Sequence, residues 1–239
     1  MGDVERFRNA HEGCIGWIIG NGPSVRIPDL EKLTPYVSFG ANRLYLAYNR
    51  TDFRPRYTVS VDEQMIRDFG HEMVEKNEGP VFLVTNSVGI PQASNCFHLV
   101  PKGGTPLRFS TDITNFVTPG GGSLIGAIQI GYYMGIRHFF LYGIDHKFRF
   151  TPGTSEDPLE SAIGDGNHFI EQYRSGRPWQ RPVSWQAESS FLMSHVFLEG
   201  RGGFVNNATH GGQLNTLPRV PFEKALEMTR LNHELELRS

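Results

Sequence analysis

Five residues in a row, Gly20, Asn21, Gly22, Pro23 and Ser24, follow directly on the apolar run 14–19. A strand that ends in such a turn can aim backbone amides at an anion. Glycines at 20 and 22 admit positive φ and let a ligand approach the backbone closely. A helix beginning around Pro28, Asp29 and Leu30 would add a favourable dipole for phosphate. Ser24 offers a hydroxyl to phosphate or to the turn itself. The stretch lacks the third glycine of a dinucleotide fingerprint and the Gly-Lys-Ser/Thr of a Walker loop. An ordinary strand-exit turn is the competing reading.

Further polar residues follow other apolar runs, at the strand ends where open α/β sheets bind ligands. Asn42 and Arg43 come after 37–40. Asn42 suits a base or sugar, and Arg43 suits a phosphate or carboxylate held bidentately. A helix N-cap with a surface arginine is equally consistent with that pair. Asp62 closes 57–61 and suits ribose hydroxyls, a metal or the N-cap of a following helix. Gly120, Gly121, Gly122 and Ser123 form a second candidate anion nest at a helix start. Tight helix–sheet packing is the alternative there. Asp145 and His146 end the strongest apolar run, 138–144. His168 and Tyr173 lie in a stretch rich in glycine and proline. His168 is a candidate base for an acceptor hydroxyl, and Tyr173 a candidate donor to a leaving phosphate. Nine histidines in the chain make packing or surface roles the ordinary expectation for any one of them.

The elements that must position these residues are short apolar runs bounded by Gly, Pro and polar residues. Runs 14–19, 37–40, 57–61, 81–85, 138–144 and 204–207 read as strands. A helix opens after Gly122, carries Leu124, Ile125, Ile128, Ile130 and Tyr132, and ends at Gly135 in the C-cap position. That helix followed by strand 138–144 is half of a βαβ unit, so the fold class is α/β with a parallel, wound sheet. Helical spacing resumes over 185–198, and a last helix begins near Pro221. Residues 147–182 are too long for a simple connection and read as a lid. No repeat or linker divides residues 1–239, so one domain is expected.

The chain has 239 residues, 23 basic and 25 acidic side chains and a formal charge of −2. No basic run exists to displace counterions, which disfavours nucleic acid as a partner. No apolar run has the length of a membrane span, and the first residues carry no apolar signal segment. A cytoplasmic protein is expected, with peripheral membrane association and homo-oligomerisation left open. Cys14 and Cys96 lack metal spacing and read as reduced core residues.

Taken in order, 18–24 (Ile-Ile-Gly-Asn-Gly-Pro-Ser), 40–43 (Gly-x-Asn-Arg), 59–62 (Val-x-Val-Asp), 132–135 (Tyr-Tyr-Met-Gly), 141–146 (Leu-x-Gly-Ile-Asp-His), 167–169 (Asn-His-Phe) and 207–214 (Asn-Ala-Thr-x-Gly-Gly-x-Leu) resemble the 6-hydroxymethylpterin diphosphokinase MptE-like family. That family is similar in turn to flagellin nonulosonate transferases and to bacterial sialyltransferases that use CMP-sialic acid. The resemblance implies one Rossmann-like sheet of the sialyltransferase type, a variant of the GT-A fold, with a lid. It implies a glycosyltransferase that takes a nucleotide-sugar donor, such as a CMP-activated nonulosonic acid, and a glycan or other hydroxyl acceptor, with no metal requirement. Asn21, Gly22 and Ser24 would meet the nucleotide, Asn42 the CMP and Ser123 the donor sugar, with His168 as general base. Where the sialyltransferases carry Arg-x-Thr-Ser, this chain has Gly120-Gly121-Gly122-Ser123. The alternatives are a pterin diphosphokinase using ATP and Mg²⁺, with Asp62 and Asp145 as metal candidates, and a nucleotide-binding module without turnover.

Overall fold

The computed structural model describes residues 3–87, 89–103, 108–148, 166–177 and 182–237. Seven strands form one sheet: β1 (Ile15–Ile19), β2 (Ser38–Ala41), β3 (Tyr57–Ser60), β4 (Val81–Val84), β5 (Cys96–Leu99), β6 (His138–Tyr142) and β7 (Phe204–Asn207). Their order across the sheet is β5-β4-β3-β2-β1-β6-β7, and every pairing is parallel. The chain builds outward from β1 to β5, then returns to place β6 on the other side of β1. The exits of β1 and β6 therefore flank the point where strand order reverses, the usual ligand crevice of such sheets.

Helices cover both faces, so the central strands read as unbroken apolar runs. The alternating residues of each strand feed different cores. Ile18, Phe139 and Leu141 face α3 (Ser123–Tyr133) and α4 (Ser184–Glu199). Trp17, Ile19, Phe140 and Tyr142 face α1 (Ile27–Lys32) and α5 (Phe222–Glu236). On that second face α2 (Glu63–Lys76) packs Met65, Ile66, Phe69 and Met73 over β4. α3 is apolar all round because it is buried all round. Its Gly126 and Gly131 face Val61 and Phe139 so closely that a Cβ at either would come within 2.6 Å of a side-chain carbon. Gly135, at φ +95°, ends α3 as its position in the sequence requires.

Most of the elements expected from the sequence form, with ends shifted by a residue or two. β5 was not among the expected strands. It is an edge strand paired only with β4, and half-buried His98 interrupts its apolar run. Both thiols are free, and burial first of all pushes them up, Cys14 to about 12 and Cys96 to about 11. None of the helices among the described residues is long and apolar enough to cross a membrane. Of the expected lid, 149–165 and 178–181 lie outside the described residues.

Candidate functional site

A cavity of about 440 Å³ opens at the switch point, within the size range of small-ligand sites. Its walls come from the exits of β1 (Gly20, Asn21, Gly22), β2 (Asn42), β3 (Asp62) and β6 (residues 143–148). The start of α3 (residues 119–124), α4, and Asn167, His168 and Tyr173 complete it. Nine of the twelve expected site residues line this space, and Pro23, Ser24 and Arg43 do not.

The turn after β1 does not offer the open amide cradle expected of it. Gly20 N–H donates to the Tyr142 carbonyl, Gly22 N–H to the Gly143 carbonyl, and Ser24 N–H to Asp145 Oδ2. Pro23 has no N–H to give. Neither Gly20 nor Gly22 has positive φ. They are small because β1 and β6 exit side by side: a Cβ on Gly20 would meet the Gly143 carbonyl at 2.5 Å, and one on Gly22 would overlap the Asp145 carboxylate. Ser24 Oγ also donates to Asp145, at 2.7 Å. Asp145 is thus a clamp between two strand exits, and Ser24 is its partner rather than a phosphate ligand.

Asn21 behaves differently. Its Nδ2 donates to the Ala41 carbonyl (2.8 Å) and the Tyr173 hydroxyl (3.2 Å). These bonds fix the amide's orientation and leave Oδ1 buried, without a partner among the described residues, in a residue that lines the cavity. An orphaned buried acceptor is costly unless a ligand or water supplies a donor.

Asn42 adopts φ +51° and is not a helix N-cap. Its Oδ1 accepts from Ser60 Oγ (2.8 Å) and Ser123 Oγ (2.7 Å), while Ser123 Oγ accepts from Val61 N–H. Ser123 is 5% exposed, so its hydroxyl ties α3 to the ends of β2 and β3. Arg43 is neither on the surface nor in the cavity wall. Its guanidinium is buried over the Phe69 ring at 3.7 Å, pairs with Glu72 (3.2 Å), and donates to Tyr45 Oη and the Tyr173 carbonyl. The expected anion ligand is an anchor for segment 166–177. Asp62 caps α2, accepting from Met65 N–H at 2.9 Å.

The second glycine turn is built differently, with Gly122 N–H donating to the Pro119 carbonyl. Gly121 has φ +86°, and Gly122, the N-cap of α3, has φ +90° and ψ −170°, a region essentially reserved for glycine. No described side chain caps this helix, and a Cβ on Gly122 would meet no described atom within 4 Å. The first amides of an 11-residue helix thus face the cavity with the positive end of its dipole.

His168 and Tyr173 share a wall, their rings stacked 3.7 Å apart at 12°. Burial, with Arg174 nearby, lowers His168 to about 4, so the imidazole is neutral over the physiological range. That is low for efficient proton abstraction near neutrality. The Tyr173 hydroxyl takes hydrogen bonds from Asn21 Nδ2 and Arg43 N–H, and burial pushes it up to about 12. It locks segment 166–177 against the sheet, and Phe169 N–H adds a bond to the Asn21 carbonyl.

One pair was not read from the sequence. His146 Nε2 lies 2.9 Å from Glu188 Oε1, with the His146 side chain 6% exposed and the residue in the cavity lining. The sequence placed His146 beside Asp145 at the ligand-binding strand end, with no sign of its partner. Glu188 lies on α4, with no local signal that it would meet β6.

The chain matches no protein-family model, no curated protein and no solved structure.

Proposed function

We propose that the chain is a glycosyltransferase of the sialyltransferase type that binds an activated nucleotide sugar in the switch-point cavity and transfers the sugar to a hydroxyl acceptor. The observation that carries the reading is the uncapped α3 N-terminus opening into the same cavity as the orphaned Asn21 Oδ1. One wants an anion, and the other wants a donor such as an exocyclic amine or a sugar hydroxyl. A nucleotide offers both. The phosphate sits at the amides of Ser123 and Leu124, and the nucleoside extends toward Asn21 and the His168–Tyr173 wall.

In this account the α3 amides hold the leaving phosphate as its charge grows. Segment 166–177 is the described part of a lid, held by Arg43 and Tyr173. The family resemblance favours a CMP-activated nonulosonic acid as donor. The diphosphokinase reading has less to stand on, since Asp145 is committed to Ser24 and Asp62 to the cap of α2.

Thermal-shift screening against CMP, UDP, GDP, ADP and ATP, with and without Mg²⁺, tests the reading. A ligand at a hundred times its Kd adds about 2.7 kcal/mol of stability. A cytidine nucleotide that stabilises without Mg²⁺ is the expected result. A response to adenine nucleotides alone, dependent on Mg²⁺, or to no nucleotide, contradicts it.

A further inference from the structure

We propose that the proton-accepting group of the cavity is His146, with Glu188 as its positioning carboxylate. The inference rests on the transferase reading and assigns a step within it. With Nε2–H donating to Glu188 Oε1 at 2.9 Å, the lone pair of the imidazole lies on Nδ1. No described residue offers Nδ1 a hydrogen-bond partner, and His146 lines the cavity. A base with one nitrogen held by a carboxylate, in a residue that lines the ligand space, is the arrangement proton transfer needs.

The backbone supports the placement. His146 sits at φ +49°, an uncommon conformation for a residue with a Cβ. This bend follows Asp145, whose carboxylate and carbonyl hold the β1 turn and Gln213. It directs the ring to α4, where Glu188 waits. Ala187 and Ser190 of the same helix pack against Gly121, so the pair lies beside the glycine turn that would hold the departing phosphate. His168 is worse placed, stacked face to face on Tyr173.

The step balances without a further reagent. The acceptor hydroxyl gives its proton to His146 Nδ1. Its oxygen forms a bond to the anomeric carbon, and the anomeric C–O bond to phosphate breaks with its electron pair left on the phosphate. The imidazolium, facing Glu188, later releases the proton to solvent. Asp145 and Lys147 beside His146, Asp62 and His168 across the cavity, and Glu188 on α4 are the other titratable groups around the ring.

The test uses the full chain and CMP-, UDP- and GDP-activated sugars, with water standing in for the acceptor. His146→Gly relieves the bend and leaves room for a free base. It is expected to lower kcat by roughly 10²–10⁴-fold, leave nucleotide affinity in place, and regain turnover when imidazole is added. Glu188→Gln is expected to lower kcat with KM held, the mark of a lost transition-state contact. His146→Gly turning over within a few-fold of wild type overturns the assignment and leaves the transferase reading standing. A wild-type chain that binds nucleotides but consumes no activated sugar overturns the transferase reading and the assignment with it. Nitrogen-15 NMR of the wild-type rings needs no variant. A proton on Nε2 and a bare Nδ1 are expected at His146, and the opposite tautomer overturns the proposal.

Discussion

Asn21 carries two duties in one amide, holding Ala41 and Tyr173 through Nδ2 and presenting Oδ1 to the cavity. Asn21→Ala removes both duties. It should cost about 1–3 kcal/mol in denaturant unfolding, the price of stranding buried polar partners, and should weaken nucleotide binding as well. His11 supplies a pH dependence remote from the site. It is 8% exposed, pairs with Tyr57 Oη at 2.7 Å, and is lowered from 6.5 to about 4 by burial and then by Arg56. The unfolded chain takes up a proton there that the folded chain refuses. Stability from His11 is therefore complete above about pH 6.5 and is lost as pH falls toward 4, by on the order of 3 kcal/mol. His11→Gln should flatten that part of the curve in urea titrations run between pH 4 and 7. At this scale the sequence was a partial guide. Asn21, Asn42 and Asp62 were picked out by standing at strand ends, and all three face the cavity. Arg43 and Ser24 stand at strand ends too, yet their partners, Glu72 and Tyr173 for one and Asp145 for the other, lie too far along the chain for spacing to reveal.

The elements explain why one glycine turn is open and the other closed. The β1 turn is squeezed between neighbouring strand exits, and the amides of Gly20, Gly22 and Ser24 are used in holding them together. The turn before α3 precedes a helix that no side chain caps. Gly122→Ala meets no neighbour, so its cost is backbone strain alone, of order 1–3 kcal/mol. It should also tilt the first amides of α3 and reduce nucleotide affinity, which calorimetric titration would read. Arg43→Lys tests the anchor of segment 166–177. A lysine cannot reproduce the forked contacts to Glu72, Tyr45 and the Tyr173 carbonyl. Hydrogen exchange should speed up over 166–177 while the sheet amides stay protected. Unchanged exchange there would remove Arg43 from that role. The strands themselves were readable because helices on both faces demand continuous apolar runs. β5 was not, since an edge strand four residues long can carry a half-buried histidine.

Across the whole molecule, strand order does most of the positioning. Reversal between β1 and β6 brings residues 20–22 to one space with 119–124 and 143–146, which lie far along the chain from them. The sequence showed each of these segments and implied a parallel sheet. It could not show that the exits of β1 and β6 lock together, because that contact exists only after the sheet is assembled. The most direct measurement is a crystal structure of the chain soaked with CMP. Phosphate density is expected at the Ser123 and Leu124 amides, with a donor of the nucleoside on Asn21 Oδ1. CMP bound elsewhere, or a phosphate resting on the turn at residues 20–24 with the α3 N-terminus bare, would contradict it.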